Sequence, residues 1–137
     1  MYRIYAGATC IFDDTDPTLE TKLIDPVLQL NAGAAGSLSM TIPKTNIGYS
    51  AVQRLTTTIS VQRNGGEIWR GRILSESRDL WGNKKVFCEG ALAFLNDTIQ
   101  AGVKYAGCSV ESFVGSLLTA HNGKVSAARQ ISRGTIS

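Results

Sequence analysis

The chain has 137 residues, 43% of them hydrophobic and 18% charged, and a formal charge of +3. That length supplies one ordinary domain or two small subdomains and buries a core without disulfides or a structural metal. The low charged fraction excludes a disordered chain, and so mild a charge gives no basis for a nucleic-acid partner, which would need Lys and Arg concentrated on one stripe.

Residues 2–12 are apolar and β-branched or aromatic, broken by Ala6-Gly7-Ala8; they read as two short strands or one bent strand. An acidic loop follows, with Pro17 as its breaker. A strand resumes over residues 27–30, and residues 31–36 (NAGAAG) form a turn or flexible loop. Residues 37–42 carry the clearest pattern. Leu38, Met40 and Ile42 alternate with Ser37, Ser39 and Thr41, the period of a half-buried strand, and Pro43 ends it. Residues 57–62 repeat the alternation. Asn64-Gly65-Gly66 predicts a tight hairpin, because these residues tolerate positive φ. Residues 67–80 form the return strand. Trp69 and Ile73 lie on one face, Arg70, Arg72, Glu76 and Arg78 on the other, and Gly71 marks a bulge or a close backbone approach. A turn near Trp81-Gly82-Asn83 leads into a strand over 84–89, completing a meander of at least three antiparallel strands. Past Gly90 the period changes. Residues 91–96 read as one or two helical turns. Ser109 is a helix N-cap, with Glu111 in the first turn. Val110, Phe113, Val114, Leu117, Leu118 and His121 form a core-facing stripe, and Asn122-Gly123 is the stop. Residues 124–137 return to a strand-like pattern.

Charge changes sign along the chain. Five of the eleven acids are Asp13, Asp14, Asp16, Glu20 and Asp25, whereas residues 44–137 hold twelve bases and six acids. This reads as an acidic loop on a mildly basic domain. Cys10, Cys88 and Cys108 are odd in number and lack a C-x-x-C pair, so reduced thiols are expected rather than a disulfide framework or a zinc site. Residues 1–3 lead into a strand-like segment rather than a signal peptide. No apolar run approaches the roughly 18 residues that span a membrane, so the expectation is a chain made in a reducing cytoplasm and not inserted in a membrane.

Few residues suggest chemistry. His121, the only histidine, sits on the apolar side of a helix C-terminus, where a carbonyl or dipole partner accounts for it better than catalysis. Cys108 precedes a helix, a place that can activate a thiol, but nothing else in the sequence resembles nucleophile machinery. Asp14, Asp16 and Thr18 alternate and Asp25 follows, yet Leu19 and Asp25 occupy positions where a calcium loop needs Gly and Glu. Gly33 and Gly36 lack the Lys-Ser/Thr of a phosphate loop. No catalytic, cofactor or metal residue is therefore assigned. Arg70, Arg72 and Arg78 are the candidate protein-interface face, against a plain wet sheet face. Trp69 and Trp81 are expected as core or turn anchors rather than stacking platforms.

Five segments occur in order with characteristic spacing: 23–31 (LIDPVLQLN), 35–43 (AGSLSMTIP), 68–73 (IWRGRI), 86–97 (VFCEGALAFLND) and 118–125 (LTAHNGKV). Together they resemble the N-terminal region of phage and prophage tail proteins. These are tail-tip or baseplate hub proteins that go under the names of minor structural proteins, tail endopeptidases or tail-associated lysins. The resemblance covers nearly the whole chain. It implies a mainly β fold with small helices, an antiparallel β-barrel-like hub module. It implies a homotrimer in the virion tail, assembled in the bacterial host cytoplasm, that contacts a distal tail or tail-tube protein and the tape-measure protein. Enzymatic or carbohydrate-binding parts of the family lie further toward the C-terminus. Residues 1–137 are thus expected to be a non-enzymatic N-terminal module, cut before further domains. Two alternatives remain at this level. One is a fragment of a tail-associated peptidoglycan hydrolase or endopeptidase, for which the chain lacks H-E-x-x-H or a Cys/His signature. The other is a small barrel binding single-stranded nucleic acid, for which the aromatics alternate the wrong way, toward the core.

Overall fold

The alternating segments pair into one antiparallel sheet of seven strands. In the computed structural model, which describes residues 1–16 and 18–133, these are β1 (Tyr2–Ala6), β2 (Thr9–Asp13), β3 (Ile24–Gln29), β4 (Ser37–Ile42), β5 (Thr58–Arg63), β6 (Gly66–Arg78) and β7 (Lys84–Gly90). Their order across the sheet is β2-β1-β5-β6-β7-β4-β3. The chain divides into two compact units, Met1–Ala91 and Leu92–Ser137.

Side-chain alternation builds the first unit. Leu38, Met40 and Ile42 of β4 are buried between half-exposed Ser37, Ser39 and Thr41, as a pleated strand with one apolar face requires. Ile59 and Val61 of β5, Trp69 and Ile73 of β6, and Val86 and Cys88 of β7 join them in one cluster with Ile4, Ala6 and Ile11. Asn64 and Gly65, at φ of 51° and 83°, make the two-residue turn between β5 and β6. Residues 2–12 are two strands, with Gly7 at φ 59° between them. The strand expected at 27–30 begins earlier, at Ile24. Pro17 lies outside the described residues.

Phe12 at one edge and Leu28 at the other line the same cleft, although β2 and β3 are the two ends of the strand order. The sheet therefore curls until its edges face each other across a seam. Asn46, in the loop after β4, spans that seam. Its Nδ2 donates to the Ile11 carbonyl of β2 at 2.8 Å and to the Lys22 carbonyl just before β3 at 2.9 Å. Its Oδ1 accepts from the Gly48 N–H at 2.8 Å. A side chain on Gly48 would collide with Ile11, so the loop approaches β2 as closely as it does only with glycine there.

β6 carries two bulges that set its faces. Val61 pairs with Trp69 and Gln62 with Glu67, leaving Ile68 as the extra residue. Ile73 pairs with Cys88 and Ser75 with Phe87, leaving Leu74 as another. Each extra residue reverses the in–out phase beyond it. Beyond Arg72, β5 no longer accompanies β6. The loop there supplies the missing donors instead: the Leu55 N–H to the Ile73 carbonyl at 2.8 Å and Arg54 Nε to the Leu74 carbonyl at 2.8 Å.

The second unit is held mainly by polar clamps. A 3-10 helix (Ala91–Asp97), matching the predicted helical turns, precedes α1 (Val110–Asn122). The Ser109 hydroxyl caps α1 by accepting the Ser112 N–H at 3.1 Å. Asn122 pairs with both backbone groups of Ile131, each at 2.9 Å. The predicted stripe on α1 is covered in part, with Val114, Leu117 and Leu118 half-buried. His121 is buried, but Val110 is 69% exposed and Phe113 only packs edge-on against Tyr105, ring centres 4.9 Å apart. A piece this short has too little chain to wrap a helix face. Gly123 ends α1 at φ −70°, in ordinary helical geometry, so its conformational freedom is not what stops the helix. The strand-like tail is not a strand over the described residues; it holds a 3-10 turn, Ala127–Arg129. Residues 134–137 lie outside the described part.

Candidate interaction surfaces

The structure separates the three arginines expected on one face. Arg70 and Arg72 point outward, but the bulge at Leu74 turns Arg78 to the side shared with its partner Lys84. Arg72 is matched across the strands by Glu89, 2.7 Å away, and Arg70 by Glu67, at 3.0 Å. Glu67 reaches Arg70 because the bulge at Ile68 puts residues three apart on the same side. Two of the three cations thus hold carboxylates, and no continuous cationic stripe forms.

A cleft of about 480 Å³ opens where the curled edges meet. Ile4, Phe12, Leu28, Leu38, Val61 and the bulged Ile68 line it, with Asp14 and Arg63 at its rim. Tyr2 also lines it, with the Arg63 guanidinium 5.8 Å from its ring centre. Beside the cleft, Asp13 anchors the acidic segment. The Thr15 hydroxyl (2.6 Å) and N–H (2.9 Å), and then Arg3 Nε (2.7 Å), outweigh partial burial and hold its carboxyl down at about 2. Because the folded-state value lies below the ordinary 3.8, the stabilisation is complete above that pH and is lost as pH falls through about 2. Urea midpoints measured across this window should fall less steeply with acid in Asp13→Asn than in the parent. An unchanged slope would contradict the role given to Asp13.

The second surface is the turn between β6 and β7, where Trp81 is expected as a core or turn anchor. Trp81 is 76% exposed and Leu80 98% exposed. Their backbone is nevertheless firmly set. Asp79 accepts from the N–H groups of Trp81 and Asn83 and from Asn83 Nδ2, at 2.9–3.0 Å. Partial burial disfavours the charged Asp79, but these bonds outweigh it and hold the carboxyl below its usual range. The Tyr49 hydroxyl donates to the Gly82 carbonyl at 2.6 Å. Lys84 is buried beneath, its Nζ donating to the Tyr49 and Val52 carbonyls at 2.6 and 3.1 Å and lying 4.7 Å from the Tyr49 ring centre. The signal in the sequence was two large apolar residues at a turn centre, where polar residues are usual. Trp69, by contrast, is core, with Nε1 donating to the Ala35 carbonyl at 3.2 Å.

His121 has a structural role on both nitrogens. The Arg129 carbonyl, 3.2 Å from Nε2, can only accept, so Nε2 carries hydrogen. Nδ1 lies 2.9 Å from the Thr98 hydroxyl. Cys88 is buried, which pushes its thiol up to about 12, and Cys108 is exposed just before the Ser109 cap. Among the described residues, no three His, Cys, Asp or Glu side chains gather as they would around a metal ion, and no helix is long and apolar enough to cross a membrane.

No family model, curated protein or solved structure matches the chain. The part of the expectation that stands on the structure is the mainly antiparallel β fold, one curled seven-stranded sheet with small helices.

Proposed function

We propose that the chain is a structural component of a phage or prophage tail tip or baseplate hub. In this reading it joins the tail tube to the tip and host-attachment apparatus, and the full-length protein is a homotrimer. Its partners are a distal tail or tail-tube protein and the tape-measure protein, and it acts in the virion tail after assembly in the host cytoplasm. The five segments in order are the basis, and a curled antiparallel sheet agrees with the hub module they imply. The observation that carries the reading toward binding rather than catalysis is the hydrogen-bonded turn that leaves Leu80 and most of Trp81 in solvent. Aromatic and aliphatic residues displayed this way mark protein contacts. The engagement of His121 by Thr98 and Arg129 supports the same view, since a general base needs a nitrogen facing substrate.

Two measurements test this. Co-expressed with the distal tail protein of the same tail operon, the chain should co-purify with it. In a zymogram the chain should leave peptidoglycan intact, and His121→Ala should lower thermal stability only. Clearing that vanishes with His121→Ala would establish the hydrolase alternative instead.

A further inference from the structure

We propose that the Leu80–Trp81 turn of one copy seats in the apolar cleft of a second copy, so that the chain associates head to tail. This goes beyond the tail-tip reading and does not rest on it. The two surfaces are complementary in form: the turn is a convex apolar knob on a set backbone, and the cleft is a concave space of about 480 Å³ walled by Phe12, Leu28, Val61 and Ile68.

They are complementary in charge as well. Exposed Arg78 and Lys85 flank the knob, one on each face of the sheet, and Lys44 lies against Gly82 of the turn; together they outnumber Asp79, whose carboxylate is turned back onto the Trp81 and Asn83 N–H groups. Asp14 stands at the cleft rim and Asp25 adjoins Pro26 in its wall, both within the acidic segment. Among the described residues the Asp14 carboxylate makes one long contact, 3.9 Å, with the terminal amine. Arg63, the cation at the rim, is turned over the Tyr2 ring.

A copy cannot fill its own cleft. Tyr2, Arg63 and Gly66 are joined in register at the cleft end, while Ile42, Lys84 and Arg78 are joined at the knob end. From Ile68 to Arg78 is roughly 30 Å of extended strand. A knob at one end and a cleft at the other give a heterologous contact, which closes into a ring or grows into a column.

The test uses the full chain, followed by light scattering and tryptophan emission from micromolar to about 1 mM, the range of weak specific contacts. Mass should rise above the monomer with concentration while the exposed Trp81 emission shifts to the blue. Trp81→Ser should weaken association by about thirty-fold or more, the loss typical of a central interface residue. Leu28→Arg should do the same from the cleft side, and Asp14→Lys, at an exposed position that leaves the core intact, should weaken it too. Mixing Trp81→Ser with Asp14→Lys gives the decisive result. One intact knob and one intact cleft remain between them, so the mixture should form a 1:1 dimer that grows no further. A monomer throughout, association indifferent to Trp81→Ser, or a mixture that fails to pair would each overturn the proposal. So would Trp81-dependent flotation on phosphatidylserine vesicles without self-association, which would make the knob a lipid contact.

Discussion

Gly90→Ala should lower stability by about 3 kcal/mol or more, because no room exists for a methyl group at that position. Its Cβ would overlap the Ala35 carbonyl and approach Trp69 Nε1 to 2.9 Å. Neither neighbour is free to move. The Ala35 carbonyl accepts from Trp69, and the Gly90 N–H donates to the Gly36 carbonyl at 3.1 Å. Gly71 faces the same indole, and a Cβ there would collide with the Glu89 carbonyl and the Trp69 ring. The buried indole thus lies against two glycines of neighbouring strands and against the β3–β4 loop at Gly36. Gly66→Ala is the control, since its Cβ would meet only the Arg63 carbonyl at 3.6 Å. Urea denaturation of the three variants should put Gly71→Ala and Gly90→Ala far below the parent and Gly66→Ala near it. Equal midpoints would mean that the indole is not packed this way.

The second large effect belongs to Asn46. Asn46→Ala should cost about 2–4 kcal/mol, since it leaves the Ile11 and Lys22 carbonyls without this donor at a buried seam. Asn46→Asp should be at least as damaging at neutral pH, because it turns a carboxylate toward two carbonyl oxygens. A folded-state pKa raised by that environment makes the penalty greatest above it and relieves it as pH falls. Thermal melts of both variants at neutral and mildly acid pH provide the check. If both match the parent, Asn46 does not tie the edges together.

Much of the sheet was legible because a strand with one buried face writes its period into the sequence. Residues 37–42 and the Asn64-Gly65 turn fall where local chemistry puts them. Gly71 was legible as a close approach, although not the indole it accommodates. Bulges were not legible. Ile73-Leu74 breaks the alternation by one residue, and only the pairing with Cys88 and Phe87 reveals which residue is extra. That single slip removes Arg78 from the face of Arg70 and Arg72. The seam was also hidden, since Asn46 lies 35 residues from Ile11 and acts through backbone carbonyls that have no sequence signature. On α1 the pattern marked the apolar face, but a pattern cannot report whether anything covers it.

Reconstruction of the tail tip in particles from the strain that encodes the chain tests the central claim most directly. The account predicts density for the seven-stranded curled sheet at the junction of tube and tip, in three copies around the tail axis. Purified, infectious particles that contain no copy of the chain would contradict it.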